Sequence, residues 1–262
     1  AGGQAPDAGF LENWYIPGFA ERGMILSLEP FISRDGFDFN VFMPLMREVV
    51  KYQPRGAAAP ERFALPRHSS PIAVYYNEAA LAGAGLPVIP VNDPDGAWNW
   101  DVFEEYARRL TVRRNDGSIQ RYGGAGLKSI PHTLFPVIRS LGGTLFDYET
   151  GAVDFTPGTV EALEYVANLY VNGYVGSGSF PNGQVAMTID ISSRVAPFAE
   201  LEDLQWNLGV LPAGPMGRLN RSVAGTYVMF STTKHPDETW ELLKFLTRDE
   251  VQYDWAVSAS VL

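Results

Sequence analysis

The chain has 262 residues, 46% of them hydrophobic and 19% charged, a globular balance with room for one large or two ordinary domains. Its formal charge of −10, with no run of lysine or arginine, argues against broad contact with a phosphate backbone, so no nucleic-acid partner is expected. The lack of any cysteine excludes disulfides, thiolate nucleophiles and cysteine-ligated metal sites.

In chain order, PGFAERG (17–23) predicts a short helix stopped by Gly23. Next comes a cluster of donors, Arg67, His68, Ser69 and Ser70, at the mouth of a β-prone run, PIAVYY (71–76). NDPDG (92–96), RNDG (114–117) and PAGPMG (212–217) read as turn-rich linkers. DVFEEYARRL (101–110) sets Val102, Phe103, Tyr106 and Leu110 on one helical face. GTVEALEYVANLYVNG (158–173) predicts a helix buried along Val160, Leu163, Val166 and Tyr170. VAMTID (185–190), WNLGVLP (206–212) and AGTYVMFS (224–231) read as strands. PDETWELLKFLTRDE (236–250) opens with proline and acids and stacks Trp240, Leu243 and Leu246. Trp98, Trp100, Trp240, Met24, Met43 and Met46 are expected in the core. This alternation of strands and helices predicts an α/β fold. No stretch approaches the roughly 20 apolar residues of a membrane span, and no signal peptide is read.

Motifs for chemistry are sparse. His68, His132 and His235 lie far apart, without metal-type spacing. There is no Gly-x-Ser-x-Gly elbow, and GGAG (123–126) and LGG (141–143) read as tight turns rather than phosphate loops. No metal and no cofactor is expected. The 30 carboxylates leave a carbohydrate-active enzyme open as an alternative, since two carboxyl groups suffice for glycoside cleavage.

Six ordered stretches carry a resemblance: GGQAPDAGFLENWYIPGFAERGMILSLEPFI, LPRHSSPIAVYYNEAALAGAGLP, WNWDVFEEYARRLT, RSLGGTLFDYETGAVDF, FPNGQVAMTID with LGVLPAGPMG, and GTYVMFSTTKHPDETWELLKFLT. Together the chain resembles the extracytoplasmic solute-binding proteins of ABC importers, of the carbohydrate type that includes maltose-binding and glycerol-3-phosphate-binding proteins. Members of that family are longer at both ends, which predicts that this chain is a fragment or a clipped form. The resemblance implies a two-lobe periplasmic binding protein fold of type II, with crossover strands joining lobe one (1–75 plus 223–262) to lobe two (76–222). It implies reversible, high-affinity binding of an extracellular solute, a mono- or oligosaccharide first, for delivery to an ABC transporter membrane permease. A glycerophosphodiester or another non-sugar solute is the alternative. It further implies a monomer without enzymatic activity. Its place would be outside the cytoplasm, periplasmic or as a lipoprotein anchored on the outer face of the cytoplasmic membrane.

By position within that pattern, Glu12, Asn13 and Trp14 would supply polar and stacking contacts, and core filling is the competing reading for Trp14. Ser69 and Ser70 can donate and accept to sugar hydroxyls, while Arg67, beside His68, suits vicinal oxygens, a phosphate or a carboxylate. A capped strand with a surface arginine is the competing reading. His132 could stack or donate, or serve the structure alone. Asp190 ends the VAMTID strand and Ser192 and Ser193 lie just past it, where the family places contacts with the solute. Gly225, Thr226 and Tyr227 open the return strand: the glycine would let the ligand approach the backbone, and Tyr227 would stack or hydrogen-bond.

Overall fold

The computed structural model describes residues 6–128, 130–147, 152–221 and 223–259. The elements begin with β1 (Ala8–Glu12), α1 (Ile16–Glu21), α2 (Glu29–Asp35), α3 (Pro44–Glu48), β2 (Lys51–Tyr52), β3 (Glu61–Arg62) and β4 (Leu65–Ser70). They continue with β5 (Ile72–Asn77), α4 (Glu78–Gly83), α5 (Trp100–Leu110), β6 (Val112–Arg113), β7 (Ile119–Arg121), α6 (Phe135–Ser140) and α7 (Pro157–Val171). The last are β8 (Met187–Ile191), α8 (Val195–Ala199), β9 (Trp206–Gly209), β10 (Val223–Met229), α9 (Pro236–Leu246) and α10 (Asp249–Ala259). Backbone contacts divide the chain into two units, Ala1–Ser70 with Ser222–Leu262, and Pro71–Arg221.

The first unit is built on an antiparallel sheet in the order β1-β10-β4. Glu12 stands opposite Gly225, and Gly225 opposite His68, so the three form one row across the sheet. The register then slips, with Thr226 opposite Pro66, leaving Arg67 as the extra residue of a bulge. The cluster of donors expected at the mouth of a strand is itself part of one: LPRHSS is strand β4, and Pro71, unable to donate to a ladder, separates it from β5. Beneath the sheet, Ile16, Leu28, Leu65, Val228, Trp240 and Leu243 are buried together. Trp240 is fully buried, and its indole donates to Asp35 at 2.8 Å. Lys244 and Arg34 also bond Asp35, which holds that carboxyl well below the usual carboxylate range. Helix α2 ends where Gly36 takes the left-handed conformation, φ 59°. Of the three methionines expected inside, Met46 is buried, but Met24 is 43% and Met43 is 60% exposed. Both lie on an outer surface that apolar composition alone does not distinguish from core.

The second unit holds the antiparallel sheet β8-β5-β9, with β5 central. Its core gathers Val74, Trp98, Trp100, Phe103, Ile138 and Leu169. The two tryptophans bury their rings while satisfying their N–H groups, on the Val210 carbonyl (2.9 Å) and the Ser140 hydroxyl (2.8 Å). Helix α5 buries Phe103, Tyr106 and Leu110 as its periodicity predicts. Helix α7 is turned relative to the expected stripe. It buries Thr159, Ala162, Val166 and Leu169, while Val160 and Leu163 are 47% and 37% exposed. The buried threonine explains the phase. Its hydroxyl accepts from the Thr144 N–H at 2.9 Å and donates to the Thr144 carbonyl, and Gly143 sits so close that an added Cβ would lie 2.7 Å from the Thr159 backbone. A tertiary hydrogen-bond pair overrides the apolar count, because an unpaired buried polar group costs more than an exposed leucine. Residues 148–151, inside one of the stretches that carried the resemblance, lie outside the described residues.

Candidate functional site

In the first unit, Glu12 ends β1 and leads into a 3-10 turn, Asn13–Tyr15. Glu12, Asn13 and Trp14 are all half-buried. Asn13 Oδ1 accepts from the Ala224 N–H at 3.3 Å, which ties the turn to β10. The rings of Trp14 and Tyr15 lie 5.9 Å apart and tilted by 48°, and Tyr15 is 51% exposed. The end of β1 thus presents a carboxylate, an amide and two aromatic rings.

The bulge in β4 puts Arg67 and His68, consecutive in sequence, against the same rings. The Arg67 guanidinium carbon lies 3.4 Å from the Trp255 ring centre, 5.0 Å from Phe10 and 5.7 Å from Tyr227. The His68 ring runs parallel to Phe10 (6.0 Å, 5°) and to Trp255 (6.3 Å, 8°). Arg67 Nε and His68 Nδ1 are buried and make no hydrogen bond among the described residues. Burial, and then the charge of Arg67, push the His68 pKa down to about 4, so its ring is neutral at pH 7. Neither side chain stands open as the sequence suggests; both are stacked under helix α10, an element far ahead in the chain.

Three further expectations in this unit meet a structural role. Gly225 is required by its neighbours: an added Cβ would lie 2.2 Å from His68 Cε1 and 2.6 Å from Phe10 Cε2. Ligand approach is not needed to explain that glycine. Thr226 is fully buried and donates its hydroxyl to the Leu11 carbonyl at 2.8 Å. Ser70 is buried, at 3% exposure, opposite Val223, whereas Ser69 and Tyr227 are half-buried.

In the second unit, Asp190 lies on β8 opposite Ala73. One oxygen accepts from the Ile191 N–H (2.8 Å) and the other from Arg194 Nε (2.9 Å). The 3-10 turn Ser192–Arg194 follows, anchored where the Ser192 N–H meets the Pro71 carbonyl at 2.8 Å. Ser192 Oγ is buried without a partner among the described residues, and Ser193 is half-buried. The Tyr75 hydroxyl donates to the carbonyls of Ile191 (3.0 Å) and Ser192 (3.2 Å), fixing the turn from below. His132 sits in a π-turn, Ile130–Leu134, of a kind often found at functional sites. Arg221 Nη1 lies 3.1 Å from His132 Nδ1. A guanidinium can only donate, so Nδ1 is the acceptor in this contact. The sequence carries no motif that singles out Arg221. Asn220 is likewise unsignalled: it accepts from the Ile72 N–H (3.0 Å) and donates to the Ile72 carbonyl (2.7 Å), extending β5 by a side chain.

NDPDG, expected as a plain linker, borders an open cavity of about 600 Å³ with Asn99, Asp101 and Arg218 on its walls. Arg218 bonds the half-buried carboxylate of Asp93. Among the described residues no group of three or more His, Asp or Glu side chains could hold a metal ion, and no helix is long and apolar enough to cross a membrane.

Solved structures give the fold. The chain superposes with a TM-score of 0.84 on an ABC substrate-binding protein from Listeria monocytogenes in complex with cycloalternan, at 20% identity over 98% of this chain and 65% of that one. For UgpB from Mycobacterium tuberculosis in complex with glycerophosphocholine the TM-score is 0.82, at 19% identity over 100% of this chain and 65% of that one. For the sugar-binding protein MalE from Xanthomonas citri it is 0.75, at 19% identity, 98% and 65%. The architecture is that of the type II periplasmic binding proteins, an α/β fold. A protein of Brucella abortus (strain 2308) named as a binding protein is 26% identical over 211 residues, 74% of this chain and 47% of its own length. The chain thus spans about half the length of the curated relatives it matches. The family model for the bacterial extracellular solute-binding proteins matches residues 1–253, and the chain belongs to that family.

Proposed function

We propose that this protein reversibly binds a small polar solute outside the cytoplasm, a mono- or oligosaccharide first, and presents it to an ABC importer. The family match over residues 1–253 carries this reading. Each unit offers its own share of contacts, and on this reading the two units are the family's two lobes. The first presents Glu12, Asn13 and Trp14 at the end of β1; the second presents Asp190, Ser192 and Ser193 around the end of β8. Carboxylates, amides and hydroxyls suit a sugar's many hydroxyl groups, and an indole suits its C–H face. On this reading the chain performs no reaction on the solute, in keeping with a family of binding proteins. Its partner is the membrane permease, and it works as a monomer, periplasmic or held by a lipid anchor.

A glycerophosphodiester is the second reading. It is supported by the likeness to a structure holding glycerophosphocholine, and by the Arg221–His132 pair, which brings cationic and neutral donors together in the second unit. A thermal-shift screen of the 262-residue chain against sugars and glycerophosphodiesters tests both. A solute at 100 times its Kd stabilises the folded form by about 2.7 kcal/mol, a readily measured rise in melting temperature. Trp14→Ala should abolish the shift while leaving the unliganded melting temperature within a few degrees. A shift by phosphodiesters alone selects the second reading; a shift that survives Trp14→Ala unchanged rejects the assigned contacts.

A further inference from the structure

Within the first unit, β4, the segment around α3 and helix α10 line an open pocket of about 390 Å³, with the exposed Met43 on its rim. That volume falls in the range of small-molecule sites. Phe42, Met43, Met46 and Trp255 supply its apolar walls, and Arg67 and Asp249 also line it. Among the described residues Arg67 meets aromatic rings but no anion, and Asp249 meets no cation. Neither the Arg67 guanidinium nor the exposed Asp249 carboxylate has an ion-pair or hydrogen-bond partner among the described residues, and they do not pair with each other. Arg67 is moreover held in place: Trp255 covers its plane at 3.4 Å, with Phe10 and Tyr227 beyond. Stacking occupies the face of a guanidinium and leaves its in-plane N–H fork for a planar anion. An acid in the first turn of α10 has an ordinary role against the helix dipole, and the rings around Arg67 hold its face, but neither role supplies an anion for the Arg67 fork.

We propose that this pocket binds a small zwitterion with an apolar body, the chemistry of a free apolar amino acid, at a site separate from the solute contacts of Glu12, Asn13 and Trp14. The ligand's carboxylate takes the Arg67 fork, its ammonium faces Asp249, and its side chain lies on Met43, Met46 and Phe42. Methionine's flexible, polarisable chain adapts to more than one apolar shape, so the pocket discriminates by charge pattern more than by side chain. Arg67 and His68 belong to this pocket, with neutral His68 as part of the stacked floor.

L-Phenylalanine is the probe, titrated into the whole chain by calorimetry and by saturation-transfer NMR. Two controls each lack one charge: 3-phenylpropionate has no ammonium and 2-phenylethylamine no carboxylate. Phenylalanine should bind saturably, and each control about tenfold or more weakly. Arg67→Gln and Asp249→Asn should each weaken phenylalanine by about tenfold, and Asp249→Asn should leave the binding of 3-phenylpropionate unchanged. Arg67→Lys, which keeps the charge and loses the fork, should fall between wild type and Arg67→Gln, and it guards against a folding defect. Trp14→Ala should bind phenylalanine as wild type does. Absence of saturable binding at millimolar phenylalanine overturns the proposal. So do 3-phenylpropionate binding as tightly as phenylalanine, and unchanged affinity in both charge variants.

Discussion

Acid should destabilise the protein through His68 over a defined window. The ring lies between Phe10 and Trp255, beside the Arg67 guanidinium, and its pKa in the folded state is about 4 against an ordinary 6.5. Between those values the unfolded chain binds a proton that the folded chain refuses, so stability falls as pH falls. The contribution is fully present above about pH 6.5, is lost progressively toward pH 4, and changes no further below that. At 1.36 kcal/mol per pH unit the whole displacement corresponds to about 3 kcal/mol, and halving it for solvent reaching the ring leaves about 1.5 kcal/mol. Asp35, whose carboxyl is held far lower by Arg34, Lys244 and Trp240, loses its proton-linked contribution only in more acid solution and does not confuse the window. Urea unfolding followed by tryptophan fluorescence at about pH 7 and pH 4.5, for the wild type and His68→Gln, reads the effect. Glutamine does not titrate, so the wild type should lose about 1 to 1.5 kcal/mol more than the variant between the two conditions. Parallel losses in the two proteins would refute the burial of a neutral imidazole at this position.

Three substitutions test the packing that positions the candidate contacts. Gly225→Ala would drive a Cβ to 2.2 Å from the His68 ring and should cost about 2 to 3 kcal/mol; His68→Ala in the same chain should recover part of it, read by urea denaturation. Trp240→Ala empties the centre of the first unit's core and removes a donor to Asp35, for a loss of about 3 to 5 kcal/mol in the same assay. Asn220→Ala leaves the Ile72 N–H and carbonyl without their side-chain partner and should cost about 1 to 3 kcal/mol, with faster amide exchange at Ile72.

Much of the fold is legible in local pattern. Helix α5 shows its period, and the structure adds a cap at Asn99, whose side chain accepts from the N–H groups of Asp101 and Val102. Strands β5, β8, β9 and β10 are found where β-prone runs predict them, with ends displaced by up to three residues. What escapes is decided by partners distant in sequence. The phase of α7 is set by Thr159 against Thr144 rather than by its own apolar residues. The run expected as one helix over 236–250 closes at Leu246, and a second helix starts at Asp249, carrying Trp255 to Arg67 across nearly two hundred residues. For the same reason Arg67 and His68 look like open donors in sequence and are stacked in structure. Thr226 and Gly225, read as ligand contacts, are explained by the Leu11 carbonyl and the His68 ring. The pairing of Arg221 with His132 joins residues 89 apart and has no local signature.

The central claim is binding without chemistry. The most direct test incubates the chain with maltotriose or glycerophosphocholine, separates bound from free by equilibrium dialysis, and identifies the released solute by mass spectrometry. The account predicts that at least one of these, or a close relative, is retained at one per chain and released unchanged, with retention lost in Trp14→Ala. Recovery of a cleaved product, or no retention of any sugar or glycerophosphodiester by a folded chain, would contradict it.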